Sequence, residues 1–418
     1  MEFKYSQQDA ANQAIIDLER EGFQAYAIGG CIRDILLRRT PKDFDIVTNA
    51  RPEQIEQIFT NSKAVGKQFG VIIASILGHH IEIATFRKDG VYTDGRRPDT
   101  VEYADSLEED VQRRDFTING MAASTANMPF YHRLKDYVEG QRDLDNRLIR
   151  TIGGAQERFQ QDALRMMRGV RLAAQLGFQI EKKTWQAIQD NADLITKVSA
   201  ERTRDELLKI LRSDDPAGGL SLLYRSGLMH KAFPWVVGYG FNLGRALVVF
   251  DKLRLYPGKT DGFLIGALLE TVSVEGRVEA VDAMKLSKAD QQVAMQLSQW
   301  QQMIPFSNYN TRAQSTLKRN LREVPFLAQL DFFEIASGML DAPPSLEVFN
   351  EALQMRVAVC RSEGLQPKPW IGGHDLIAAG FKGPEIKEAL RSLETGQLEG
   401  HINSREEAWK YLGISNRL

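Results

Sequence analysis

Cysteine is almost absent from this 418-residue chain; Cys31 and Cys360 are the only two. They form no CxxC pair and no disulfide framework, which excludes a disulfide-built secreted scaffold and fits a reducing compartment. The six histidines have neither zinc-finger spacing nor an HExxH pair, so the common zinc sites are excluded. Long apolar runs are missing as well. Stretches such as VIIASIL at 71–77 are too short to span a bilayer. The opening MEFKYSQQDA lacks the basic-then-apolar pattern of a secretory leader. Together these absences predict a cytoplasmic protein that does not enter a membrane. Net charge is only −2, so no global field draws in nucleic acid, and any such partner must be met by a local basic surface.

What is present is an ordinary globular balance, 43% hydrophobic and 26% charged residues, in a chain long enough for roughly two to four domains. Ser6 and Asp9 form a capping-box pattern for a helix over 6–20, closed by Gly22. Residues 23–28 read as a buried strand running into Gly29-Gly30 and a helix over 31–38. A second strand covers 43–48, Pro52 suits the first turn of a helix over 53–59, and 71–77 with 81–86 reads as a hairpin turned at Gly78-His79-His80. Strand signals fade from about residue 139. Phe159, Ala163, Met167 and Val170 mark one stripe of a helix over 159–176, ended by Gly177. Ser287 and Asp290 cap another helix, which carries Val293, Leu297, Trp300 and Ile304 before Pro305, and a third covers 346–360. The reading is an α/β head joined to a helical remainder near 140–155.

The chemistry concentrates in the head. Side chains alternate along a strand, so Asp43 and Asp45 in KDFDIVT share a face. Two adjacent carboxylates repel unless one is protonated or a cation lies between them. Hard oxygen ligands suit Mg²⁺ or Mn²⁺. Glu82, on a strand of the hairpin, is a candidate third carboxylate. Such a site can activate a hydroxyl and neutralise a leaving pyrophosphate. Gly29-Gly30, at a strand-to-helix turn, offers backbone N–H groups to phosphate oxygens, and Arg33 one turn on adds charge-assisted bonds. A lone DxD or a lone GG is usually a solvated edge or a plain turn. The two in close succession, strand–GG–helix then strand–DxD, are far more specific.

With AIGGCIRD followed by KDFDIVTNA, the head resembles the polymerase-β-type nucleotidyltransferase core, and more narrowly the class II tRNA nucleotidyltransferase and bacterial poly(A) polymerase family. RRDFTINGMA (113–122), DYVEGQRDLDNRLIR (136–150), RFQQDALRMMRGVRLAAQLGF (158–178) and ERTRDELLKIL (201–211) match further motifs of that family in order. The remainder is similar to CCA-adding enzymes of the Bacillus type. The resemblance implies an α+β protein: a nucleotidyltransferase head with a mixed sheet (1–148), then an all-helical neck (149–212), body (213–312) and tail (313–418). It implies addition of C, C and A to the 3′ end of tRNA from CTP and ATP, with Mg²⁺ or Mn²⁺ and no obligatory protein partner. Poly(A) polymerase is the rival within the family, and a non-catalytic RNA-binding relative the rival outside it.

The resemblance also assigns residues. Asp43 and Asp45 hold metal, and Glu82 joins them in catalysis. Arg114, Asp115 and Asn119 contact ribose. Asp162 and Arg165, with Arg158 and Arg168, read the base. The chemistry agrees: an ionised Asp only accepts and Arg only donates, a pattern that cytosine and adenine complement and uracil and guanine do not. Asp162 and Arg165, three apart on one helix, are expected to share a face. Where the family carries Glu, position 161 is Gln, which is expected to orient Arg165 through its amide oxygen without charge. The polar stretch after Phe86, with Arg87, Arg96 and Arg97, resembles the loop that switches the pocket from C to A. Lys318, Arg319, Arg322, Lys382, Lys387 and Arg391 are candidate tail contacts to tRNA phosphates. His374-Asp375 reads as a helix cap, and Cys31 as a space-filling residue or a thiol activated by the nearby turn.

Overall fold

The first helix, α1 (Gln7–Arg20), starts where Ser6 and Asp9 exchange hydrogen bonds, the Ser6 Oγ accepting from the Asp9 N–H at 3.1 Å. A computed structural model describes residues 5–66, 70–88, 102–125, 133–300, 314–338 and 344–414. The chain divides into two compact units, Met1–Pro234 and Trp235–Leu418.

In the first unit the strands are β1 (Ala25–Ile28), β2 (Asp45–Thr48), β3 (Ser62–Gly66), β4 (Val71–Ile76), β5 (His79–Thr85), β6 (Arg87–Lys88), β7 (Glu102–Tyr103), β8 (Ala122–Ala123) and β9 (Leu134–Lys135). Among the described residues seven form one sheet, ordered β3-β4-β5-β2-β1-β8-β9. β2 and β5 run parallel, whereas their other neighbours are antiparallel, so the sheet is mixed as expected. The expected hairpin forms, but its turn is Leu77-Gly78, both at positive φ, and His79 and His80 pair within β5. A two-residue hairpin turn needs that backbone conformation at both positions, so the register shifts the histidines into the strand.

The alternation of each strand sorts side chains onto two layers. Ile46, Ile72 and Ile83 face α1, whose Ala10, Ala14, Ile15 and Leu18 are buried against them. Ile28 and Val47 face the other way, toward Leu107 and Val111 of α4 (Leu107–Gln112). Burying each of these aliphatic side chains contributes about 1.5–3 kcal/mol. Two short helices complete the near edge of the head, α2 (Gly30–Leu36) after β1 and α3 (Pro52–Ile58) after β2, with Pro52 in the first turn. α5 (Gly140–Asp145) then packs against the 3₁₀ turn Thr117–Asn119.

Two expectations need correction. The second strand begins at Asp45, so Asp43 lies in the segment before it. The helix expected over 159–176 is two helices, α6 (Ala155–Gln161) and α7 (Leu164–Leu176). They are separated at Asp162, whose backbone is extended at φ −143° and ψ 104° and whose Oδ1 accepts the Leu164 N–H at 3.1 Å. Asp competes with helix hydrogen bonding in this way when its side chain caps the next turn. α7 ends at Gly177 in the left-handed region, as its sequence predicts. α8 (Lys182–Asp190) and α9 (Ala200–Leu211) pack beside it.

The second unit is helical throughout its described residues. Ser287 caps the helix Lys288–Leu297 as expected, although the helix stops before Trp300, and Ile304 lies outside the described residues. The third expected helix is observed as Pro344–Ser362, with Cys360 buried. Asp375 caps the helix Gly373–Ala378 by accepting from the Gly372 N–H at 2.8 Å, so the His-Asp dipeptide is a cap. Three of the expected phosphate ligands are internal ties instead. Lys318 is 3% exposed and donates to the Leu398 carbonyl at 2.7 Å, while Arg319 and Arg322 both pair with Glu394. Lys382, Lys387 and Arg391 are exposed.

Candidate active site

Asp45 opens β2 at the point where that strand is in register with Ile28 of β1 and with Glu82 of β5. Registered neighbours in a sheet project to the same side, so Asp45 and Glu82 are adjacent on the α4-bearing face. A cavity of about 220 Å³ opens there. Its lining brings the carboxylates Asp45, Glu82 and Asp115 together with Arg87, Arg113, Arg114, Arg165 and Arg168. Asp45 is open to solvent at its surface, yet the protein atoms packed around it strip part of its hydration and raise its pKa; Arg114 and Arg168 pull it down, and Asp43 pushes it further up. The same partial loss of hydration raises Glu82, with Asp45 adding to the rise and Arg87 opposing it. Each carboxylate therefore carries repulsion that a cation between them would relieve. Among the described residues, no three His, Cys, Asp or Glu side chains are gathered as a metal-binding group. Asp43 is exposed and acts on Asp45 through its charge.

The glycine turn adjoins the same cavity. Gly29 has φ +85°, a conformation open to glycine and costly to other residues, and its N–H donates to the Met121 carbonyl at 3.2 Å. A side chain at Gly29 would stand 3.7 Å from Arg114 Nη1. Arg33 is already engaged: it pairs with Asp34 and donates to Asn119 Oδ1 at 2.7 Å. Asn119 Nδ2 in turn donates to Asp115 Oδ1 at 3.5 Å, and Arg168 Nη2 lies 2.8 Å from Asp115 Oδ2. These contacts make a chain from the glycine turn to α7. Burial alone would raise the pKa of Asp115; Arg168 and Arg165 overcome it and hold the group below the usual carboxylate range.

At the junction of α6 and α7 the arginines are fixed from below. Gln161 Oε1 accepts from Arg165 Nη1 at 2.8 Å and from Arg158 Nη1 at 2.9 Å. The amide oxygen thus does orient Arg165, as the sequence suggested. Arg165 also donates to the carbonyls of Arg158 and Arg113, and Arg158 to those of Ile152 and Gln112. Asp162 and Arg165 do not share a helical face. Asp162 stands in the break, and its Oδ2 accepts from Arg202 of α9 at 3.1 Å.

The structure therefore gathers Asp45, Glu82, Arg87, Arg114, Asp115, Arg165 and Arg168 on one cavity, with Gly29, Gly30, Arg33, Asn119, Arg158 and Asp162 around it. Arg96 and Arg97 lie outside the described residues. Three residues escaped the sequence reading, among them Arg113, which lines the same cavity. Asp110 is fully buried and binds both Arg113 and Arg114, although its spacing to them in EEDVQRRD is the helical i, i+3 and i+4 pattern. Arg202 is forty residues from Asp162, and no local pattern could have paired them. Cys31 is no reactive thiol: burial, with Asp45 adding to it, pushes it up to about 12.

Residues 25–150 match the model of the Poly A polymerase head domain, and residues 177–237 match that of the probable RNA and SrmB-binding site of polymerase A. The CCA-adding enzyme of Lactobacillus delbrueckii subsp. bulgaricus is 33% identical over 405 residues, covering 95% of each chain. That of Staphylococcus epidermidis is 30% identical over 97% of each. The structure of the Bacillus stearothermophilus CCA-adding enzyme in complex with CTP superposes with a TM-score of 0.74 at 28% identity, covering 98% of both chains. With a polymerase-β-like head, a mixed sheet and a helical remainder shared along nearly its whole length, this chain belongs to the CCA-adding enzyme family of tRNA nucleotidyltransferases.

Proposed function

We propose that this chain adds C, C and A in turn to the 3′ end of tRNA, using CTP and ATP and releasing pyrophosphate. The observation that carries the reading is one cavity that holds Asp45 and Glu82 together with Arg87, Arg113, Arg114, Arg165 and Arg168. Carboxylates that can hold a cation, beside several guanidiniums, suit a triphosphate whose α-phosphorus is attacked. Relatives matched over nearly their full length bear the CCA-adding name, which favours this reading over poly(A) addition. The functional division follows a head (1–148), neck (149–212), body (213–312) and tail (313–418). Action on tRNA implies work in the cytoplasm; separately, among the described residues no helix is long and apolar enough to cross a membrane.

Asp43 and Asp45 are the residues that would hold Mg²⁺ or Mn²⁺, with Glu82 beside them. The donor set fits: the carboxylates repel one another, and Mg²⁺ is commonly bound by one or two carboxylates with substrate phosphates completing its shell. When bound, the metal lowers the pKa of the attacking hydroxyl and neutralises the leaving phosphates. The tRNA 3′ oxygen forms a bond to the α-phosphorus as the bond to the β-phosphate oxygen breaks. Gly29-Gly30 and Arg33 border the triphosphate, and Arg114, Asp115 and Asn119 meet the ribose. Arg165 donates to the base and Asp162 accepts from it, with Arg158, Arg168 and Gln161 holding the set in place. A base presenting the wrong edge leaves buried groups unpaired, at a cost of about 1–3 kcal/mol each. The stretch that includes Arg96 and Arg97 serves the change from C to A, and removing residues 90–98 leaves CC addition intact while abolishing A.

The test is a tRNA transcript lacking its last three nucleotides. CTP alone gives two additions and CTP with ATP gives three and a stop; a long A-tract from ATP alone makes the protein a poly(A) polymerase, and no extension with any nucleotide makes it a non-catalytic relative.

A further inference from the structure

Asp110 has no part in the chemistry above, yet its carboxylate accepts five hydrogen bonds. It is 0% exposed. Its Oδ1 accepts from Arg113 Nε at 2.9 Å, from Arg113 Nη2 at 2.6 Å and from the Arg87 N–H at 3.2 Å. Its Oδ2 accepts from Arg114 Nε at 3.2 Å and Nη2 at 3.0 Å. A buried carboxylate is costly unless its oxygens are satisfied, and here both are. Burial would raise its pKa, but Arg114 and Arg113 hold it below the usual range, so the charge is kept.

The division of the two oxygens is what points beyond a structural tie. Arg114 lines the cavity. Arg113 holds Arg165 through its carbonyl at 3.1 Å, and the neighbouring Gln112 carbonyl takes Arg158. Arg87, the third contact, opens β6 and also lines the cavity. One carboxylate thus holds two like-charged guanidiniums, Arg113 and Arg114, that would repel one another without it, and it anchors the backbone of Arg87. We infer that Asp110 is a positioning residue for nucleotide selection, aligning Arg114 on the ribose and, through the end of α4, Arg165 on the base. This rests on the assignment of Arg114 to the ribose.

The experiment compares kcat/KM for CTP and dCTP on a tRNA lacking CCA. In Asp110→Asn the charge is lost and an amide N–H₂ faces one arginine. The ratio of CTP to dCTP is expected to fall roughly tenfold or more, the loss of a charge-assisted pair. Both rates come from one sample, so partial unfolding cancels from the ratio, whereas a purely structural role leaves the ratio unmoved. Asp110→Glu, which keeps the charge but displaces both arginines, gives the same fall and serves if Asp110→Asn does not accumulate. Adding Asp110→Asn to Arg114→Ala is expected to lower the ratio no further, because the two act through one contact. An unchanged ratio in the single variants, or additive losses in the double, overturns the inference. Equal use of CTP and dCTP by the wild type instead overturns the ribose assignment beneath it.

Discussion

Gln161 Oε1 lies 2.8 Å from Arg165 Nη1 and 2.9 Å from Arg158 Nη1, so one neutral acceptor holds two guanidiniums. Hydrogen bonds to a charged acceptor are roughly twice as strong as those to a neutral one. Gln161→Glu is therefore expected to stiffen Arg165 and improve rejection of UTP against CTP by about three- to tenfold, on the order of 1 kcal/mol. Steady-state kinetics with each nucleotide measure this, and an unchanged ratio shows that Gln161 already fixes Arg165 fully.

Asp45 sits in register with Glu82 on the cavity. Asp45→Asn is expected to lower kcat by about 10³-fold or more and to leave the melting temperature near that of the wild type, because the residue is not part of the apolar core. A chelator is expected to abolish activity and added Mg²⁺ to restore it. Activity that survives both treatments removes Asp45 from the chemistry.

Gly140 is a packing requirement. A methyl group there would stand 2.3 Å from the Thr117 carbonyl oxygen, in the turn that leads to Asn119. The same turn is tied by Thr117 Oγ1 to Asp143, which Arg150 grips at 2.9 Å with both Nε and Nη2. Gly140→Ala should cost about 1–3 kcal/mol in denaturant unfolding and raise KM for nucleotide as Asn119 shifts. A neutral effect on both would mean that the turn yields without strain.

Asp110 and Asp115 are buried carboxylates held below their usual range by arginines. A depressed folded-state pKa gives stability that is full above the unfolded value and is lost as pH falls through the folded one. Unfolding midpoints should hold constant between about pH 7 and 5 and decline below about 4. Asp115→Asn should flatten that decline while lowering stability at neutral pH. An equal acid slope in the variant removes Asp115 from the account.

In the second unit the cations divide by burial. Arg322→Ala, which breaks the tie to Glu394 and to the Leu365 carbonyl at 2.7 Å, should lower the melting temperature. Lys387→Glu and Arg391→Glu, on an exposed face of the helix Pro384–Leu398, should instead raise KM for tRNA with little change in stability. The dependence of binding on salt should also become shallower. Loss of stability in the exposed pair would contradict the division.

Local grammar carried much of the fold. The Ser6–Asp9 box, the strand–Gly29-Gly30–helix turn and the Gly177 stop each depend on residues within a few positions, and each is seen as read. The strand positions of Asp45 and Glu82 were legible, but their adjacency comes from the parallel pairing of β2 with β5, which no local pattern shows. The break at Asp162 was hidden because Phe159, Ala163, Met167 and Val170 are buried on both sides of it, so the apolar period runs through the gap. Its partner Arg202 comes from α9, beyond any local signal. Asp110, Lys318 and Arg322 misled or escaped the reading. Charge in a sequence suggests solvent; Lys318 and Arg322 find partners far along the chain, whereas Asp110 had its arginines at helical spacing and only its burial was hidden.

The most direct test extends a tRNA transcript lacking its CCA end in a mixture of all four nucleoside triphosphates and sequences the products. The charged cavity and the proposed Asp162–Arg165 base template predict a single dominant product ending in CCA. Products carrying U or G at the added positions, or an A-tract without the two cytidines, would contradict it.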